Sequence, residues 1–189
     1  MPARFSVLPV KNAQITQAQM RPIWNSMVIG VNAALGNVTN RGAPYRRWFG
    51  GYAARRDIVL SKLTRFVSFL NGNNLVIIQP RAFDPTATDY AHTYQMPHSN
   101  IGQWIIYLGP SFNQMPSRWT LDNMRRRGLQ GNQVITIAHE LSHAILDTNK
   151  PARFYNEHYE AEAEALAGSD PEYAAWNADN YGFFIEACS

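Results

Sequence analysis

Apolar positions change period twice along the chain. Between residues 14 and 36, Ile23, Trp24, Met27, Val28, Val31, Ala34 and Leu35 recur three and four apart, the mark of a long amphipathic helix, with Gly36-Asn37 as its stop. Asn40 to Pro44 reads as a loop. A second helix over about 52–70 carries Ile58, Val59, Leu63, Phe66, Val67 and Leu70, and Asn71-Gly72-Asn73 ends it. The period then shortens. Leu75-Val76-Ile77-Ile78 is an apolar run bounded by turn residues, which predicts a buried strand, and strands are also expected near His92-Thr93-Tyr94-Gln95 and at Trp104–Leu108. Helical spacing returns in a short helix at 120–127, in Val134–Asp147, in the Ala/Glu-rich Tyr159–Ala167, and in a last helix opened by Asp170-Pro171. The expected fold is α+β, one domain over residues 1–189. N-terminal helices come first, then a small mixed sheet, the Val134–Asp147 helix and C-terminal helices.

Composition changes this picture little. With 189 residues, 46% hydrophobic and 12% aromatic, the chain can bury a sizeable core. No apolar run approaches the roughly 18 residues of a membrane span, and the first residues lack the apolar stretch of a secretory signal. One cysteine, Cys188, excludes an intramolecular disulfide. Charge is uneven. Residues 1–138 hold 15 Lys/Arg against 4 Asp/Glu, whereas residues 139–189 hold 2 against 10. The basic charges are scattered apart from Arg125-Arg126-Arg127, so a nucleic-acid partner is disfavoured. The acidic end suits a cationic one.

The chemistry lies in the Val134–Asp147 helix. His139 and His143 are four residues apart and fall on one face. Two imidazoles so placed can close on one metal ion, and Glu140 sits where it can take a proton from water that the metal activates. The neighbours Ala138, Leu141, Ser142 and Ala144 are uncharged, which suits a helix packed into the core. The plainer alternative is a core helix whose histidines only hydrogen-bond their surroundings. His92 and His98 lack ligand spacing and read as structural or solvated.

Three stretches carry a resemblance to the peptidyl-lysine metalloendopeptidases, the aspzincin group that includes the deuterolysins. Arg47-Trp48-Phe49-Gly50-Gly51-Tyr52 is similar to that family's Trp-Phe-Gly-x-Tyr lead into its second helix. His139-Glu140-Leu141-Ser142-His143 matches its zinc helix. Leu166-Ala167, Asp170-Pro171, Ala174 and Asn177-Ala178-Asp179-Asn180 follow its C-terminal pattern, so the resemblance spans about residues 45–186. It implies a zinc cofactor and a protein or peptide substrate.

The resemblance also implies a third ligand, an Asp in Gly-Thr-x-x-Asp. Here Asp147-Thr148 stands where Gly-Thr would, and Lys150 follows. The expected replacement is Glu157, in irregular sequence just before the next helix, with Asp147, His158 and Glu160 as alternatives. Asp147 lies one turn beyond His143. Ligands at i, i+4 and i+8 of a straight helix span ~12 Å and cannot share an ion. In the family an Asp of Asn-Ala-Asp-Asn and a Glu three residues on form an acidic pocket for substrate lysine. Asp179 keeps the first, while Gly182 replaces the second and leaves room that would admit Arg as well.

The resulting expectation is a zinc-dependent, zincin-like endopeptidase with a bias toward basic residues after the scissile bond. His139, His143 and Glu157 hold zinc, Glu140 is the general base, Tyr159 or His158 hydrogen-bonds the oxyanion, and Asp179 receives the basic side chain. The Trp104–Leu108 strand would pair with an extended substrate. A catalytically inactive binding module of the same fold and a basic nucleic-acid binder are the other classes. The setting is a cytosolic enzyme or a toxin-like effector exported without a signal.

Overall fold

The sheet is organised by its two most apolar strands. In the computed structural model, which describes residues 4–9, 15–51, 53–72, 74–80, 90–95, 103–118, 131–146 and 150–189, β2 (Leu75–Pro80) and β4 (Gln103–Leu108) pair in parallel, Ile78 opposite Ile106. A four-residue strand that the sequence pattern did not predict, β1 (Arg4–Val7), runs parallel to β2, and β3 (Ala91–Gln95) runs antiparallel to β4. The order is β1-β2-β4-β3. β4 is therefore paired on both sides, and the expectation that Trp104–Leu108 receives a substrate strand is corrected. The edge strand beside it is β3.

Helix α1 (Gln17–Thr39) opens with a reciprocal capping box between Thr16 and Gln19. It runs through Gly36, because Val38 still falls on the buried stripe and one helical glycine costs only ~1 kcal/mol. A further short helix, α2 (Ala43–Phe49), precedes α3 (Ala53–Asn71) and takes in the end of the loop expected over Asn40 to Pro44. It buries Tyr45, Trp48 and Phe49. After α4 (Gln133–Leu146) come α5 (Glu160–Ser169), α6 (Pro171–Ala174) and α7 (Ala178–Cys188). The single last helix read from the sequence is thus two, broken where the Asn177 side chain bonds to another segment. The helix expected at 120–127 lies outside the described residues, as do Asp147 and His98.

Apolar side chains of α1–α4, α7 and the sheet form one buried cluster. Trp48 stacks on Phe183 with ring centroids 4.7 Å apart and Phe49 meets Phe184 edge-on at 5.2 Å. Each such pair contributes about 0.5–1.5 kcal/mol beyond burial and ties α2 to α7. α4 packs between α7, α1 and β3, which leaves its histidine face open toward the sheet edge. No described helix is long and apolar enough to cross a membrane.

Candidate metal centre

Helix α4 is anchored at its start by Asn132, whose Oδ1 accepts from the Ile135 N–H at 2.8 Å. Val134, Ile135, Ile137, Ala138 and Leu141 are buried. That fixes the rotation of the helix and turns His139, Glu140 and His143 toward a cleft of about 790 Å³. The Nε2 atoms of His139 and His143 face one another at 3.2 Å. Glu157 completes the group, with Oε1 3.1 Å from His143 Nε2 and Oε2 3.6 Å from His139 Nε2.

Glu157 sits in irregular backbone, so its position has to come from elsewhere. The Asn177 side chain accepts from the His158 N–H at 3.0 Å and donates to the His158 carbonyl at 2.8 Å. Asp179 Oδ2 accepts from the Glu160 N–H at 2.6 Å, and Glu160 takes a left-handed backbone with φ 48°. Asn180 Nδ2 is shared between the carbonyls of Trp48 (2.7 Å) and Ala163 (2.8 Å). Asn177, Asp179 and Asn180 are all buried, so the Asn177-Ala178-Asp179-Asn180 block acts as a clamp on residues 158–163. A left-handed non-glycine residue costs roughly 1–2 kcal/mol, and such strain persists only where its surroundings hold it.

Asp179, the expected receptor for a substrate side chain, lines the cleft with both carboxylate oxygens already hydrogen-bonded. Its Oδ1 lies 2.9 Å from His139 Nδ1 and its Oδ2 is occupied by Glu160. A carboxylate only accepts, so Nδ1 carries a proton, which leaves Nε2 as the ring nitrogen available to a metal. The room expected beside Gly182 is also absent. A Cβ there would fall 2.9 Å from the Ile135 carbonyl oxygen, because α7 and α4 touch at this point.

The electrostatics call for positive charge. Burial pulls the His139 pKa down, but hydrogen bonds to Asp179 and Glu157 and the charge of Glu140 outweigh it and carry it up to about 10. Burial raises that of Glu157, yet the two imidazoles bring it down to about 2. A proton can sit on only one of two facing Nε2 atoms. A divalent metal takes a lone pair from both and from Glu157. Tetrahedral ligands about 2.0–2.1 Å from zinc lie roughly 3.3 Å apart, close to the 3.1, 3.2 and 3.6 Å separations found here. The residues therefore fit the metal.

Of the remaining expected residues, Tyr159 and Glu160 line the same cleft. The Tyr159 hydroxyl donates to Glu157 Oε2 at 2.9 Å, and its ring lies alongside His139. Burial, then Glu157, push its pKa upward, so it remains a donor. His158 turns away, toward Glu162 and Tyr173. Glu160 faces the cleft, and its Oε1 accepts weakly from Gly131 N–H at 3.4 Å. His92 stacks on Tyr107. Thr93, which carries no sequence signal, donates from Oγ1 to Glu140 Oε2 at 2.7 Å.

Comparison with known proteins follows the same outline. A family model described as lysine-specific metallo-endopeptidase, the aspzincins, matches residues 34–186. A peptidyl-Lys metalloendopeptidase of Armillaria mellea is 32% identical over 75% of this chain and 34% of its own length. An extracellular protease of Aeromonas hydrophila is 29% identical over 77% of this chain and 36% of its own. The chain spans about a third of the length of the curated relatives it matches. A solved zinc peptidase from Grifola frondosa superposes with a TM-score of 0.54 at 23% identity. The match covers 91% of this chain and 96% of that one, which establishes a shared fold.

Proposed function

Because the chain belongs to the aspzincin family of lysine-specific metallo-endopeptidases, we propose that it is a zinc-dependent endopeptidase with His139, His143 and Glu157 as its metal ligands. The observation that carries this reading is the meeting of three donor groups, all within 4.8 Å of one another, beside a buried Glu140. A complete donor set favours an enzyme over a binding module that has lost its metal.

Zinc held there supplies Lewis acidity, polarising a peptide carbonyl and making water a stronger acid. Glu140 accepts the proton that water loses as its oxygen adds to the carbonyl carbon. It returns that proton to the amide nitrogen as the C–N bond breaks, leaving a carboxylic acid and an amine, which become carboxylate and ammonium when the acid's remaining proton passes to the amine. The Tyr159 hydroxyl turns from Glu157 to the developing oxyanion. Asp179 holds His139 in the tautomer that presents Nε2.

Substrate lies along β3 and sends the side chain after the scissile bond into a cleft walled by Glu140, Glu157, Glu160 and Asp179. Four carboxylates favour a basic side chain there. Since both Asp179 oxygens are engaged and Gly182 has no side chain, Glu160 is the carboxylate that a lysine would meet. Two measurements test the reading. Glu140→Gln should fold and bind zinc yet lose about 10²–10⁴ of its activity. A peptide library should be cut before basic residues, and a profile with no basic preference, or a fully active Glu140→Gln, would contradict the assignment.

A further inference from the structure

The contact between Thr93 and Glu140 joins residues 47 apart in sequence, one on the edge strand and one on α4. Glu140 is only 5% exposed, and a carboxylate so enclosed turns in whatever direction its hydrogen-bond donors set. The Thr93 hydroxyl is the donor at Oε2, 2.7 Å away.

The backbone of the same residue has its own direction. In an antiparallel pair, successive residues alternate between exchanging hydrogen bonds with the neighbour and facing away from it. Gly109 N–H donates to the Tyr90 carbonyl, and the register places Ala91 opposite Leu108. Tyr90, His92 and Tyr94 therefore bond toward β4. Ala91, Thr93 and Gln95 present their backbone groups to the outer side of the sheet, along the cleft.

We propose that Thr93 is a positioning residue for the general base. Its hydroxyl fixes the rotation of the Glu140 carboxylate, and its outward-facing backbone ties that rotation to an extended substrate pairing with β3. The proposal rests on the peptidase reading given above. It adds that binding along the strand and proton transfer at Glu140 are linked through one side chain.

The test uses zinc-loaded protein for kinetics and metal-free protein for stability. Thr93→Val keeps the shape of the side chain and removes the donor. Displacement of a catalytic group by about 1 Å costs on the order of 10² in rate. We therefore expect kcat to fall roughly 10–100-fold, with KM for short peptides and zinc content unchanged. Thr93→Ser should recover most of the loss. The loss should be greater for peptides long enough to lie along β3 than for those too short to reach it.

In the metal-free protein, Thr93→Val should lower the melting temperature by about 2–6 °C. That shift should shrink in a Glu140→Ala background, where there is no carboxylate to leave unpaired. Wild-type kcat in Thr93→Val, no recovery in Thr93→Ser, a loss independent of peptide length, or an equal melting shift in both backgrounds would each overturn the proposal. A wild-type protein that cleaves no peptide overturns the peptidase reading and this proposal together. An active wild type with an unaffected Thr93→Val overturns this proposal alone.

Discussion

Helix α4 and the segment 157–160 place donors at the same centre by opposite means. On α4, His139 and His143 are aligned by helical periodicity, and a buried apolar face sets which way they point. The segment 157–160 has no such internal order before α5 begins. Its backbone is held at His158 by Asn177 and at Glu160 by Asp179, both from the far end of the chain. A helix thus carries its own register, whereas a ligand in irregular structure depends on the residues that pin its neighbours. Asp179 belongs to both sides, because one oxygen orients His139 and the other holds the Glu160 backbone.

The difference predicts a ranking of substitutions. Glu157→Ala removes a donor outright and should weaken zinc binding well beyond the roughly 10–100-fold typical of lost supporting hydrogen bonds. Titration of metal-free protein with zinc measures it, and an affinity near that of wild type would remove Glu157 from the centre. Asp179→Asn keeps the size of the side chain but not its charge. It should fall within that 10–100-fold range while leaving the preference for basic residues largely in place. If selectivity falls instead and zinc affinity is kept, Asp179 is a specificity residue after all. Asn177→Ala releases the His158 backbone and also the Asn180 side chain, whose Oδ1 accepts from Asn177 Nδ2 at 2.8 Å. It leaves the His158 N–H unpaired and takes a donor from the His158 carbonyl and from Asn180 Oδ1, at a cost of about 1–3 kcal/mol, or roughly 2–12 °C in melting temperature. Zinc affinity should fall less than in Asp179→Asn. A stable variant with wild-type affinity would show that the segment holds itself.

The helical half of the centre was legible because its information is local. Spacing four apart and a run of apolar neighbours suffice to define the face that carries His139 and His143. β2 and β4 were legible for a related reason, since a short apolar run bounded by turn residues has few other uses. What the run does not encode is which strand lies at the edge. That Trp104–Leu108 is paired on both sides and His92–Gln95 lies at the edge is set by the fold. Glu157 was inferred by resemblance, as a carboxylate near the family's ligand position, and nothing in its own neighbours fixes it. The surroundings of Asp179 and Gly182 are hidden in the same way. A sequence does not reveal that Asp179 turns toward His139 Nδ1, or that the Ile135 carbonyl fills the space beside Gly182. Thr93 left no signal either, since its partner is 47 residues away.

The central claim is that a carboxylate in the irregular segment joins two helical histidines around one zinc ion. Anomalous diffraction at the zinc edge, on crystals of the zinc-loaded protein, addresses it directly. The expected result is a single zinc peak between His139 Nε2, His143 Nε2 and a Glu157 carboxylate oxygen, each about 2.0–2.2 Å away. A peak bound by the histidines and some other carboxylate, Asp147 among them, or no peak at that position, would contradict the account.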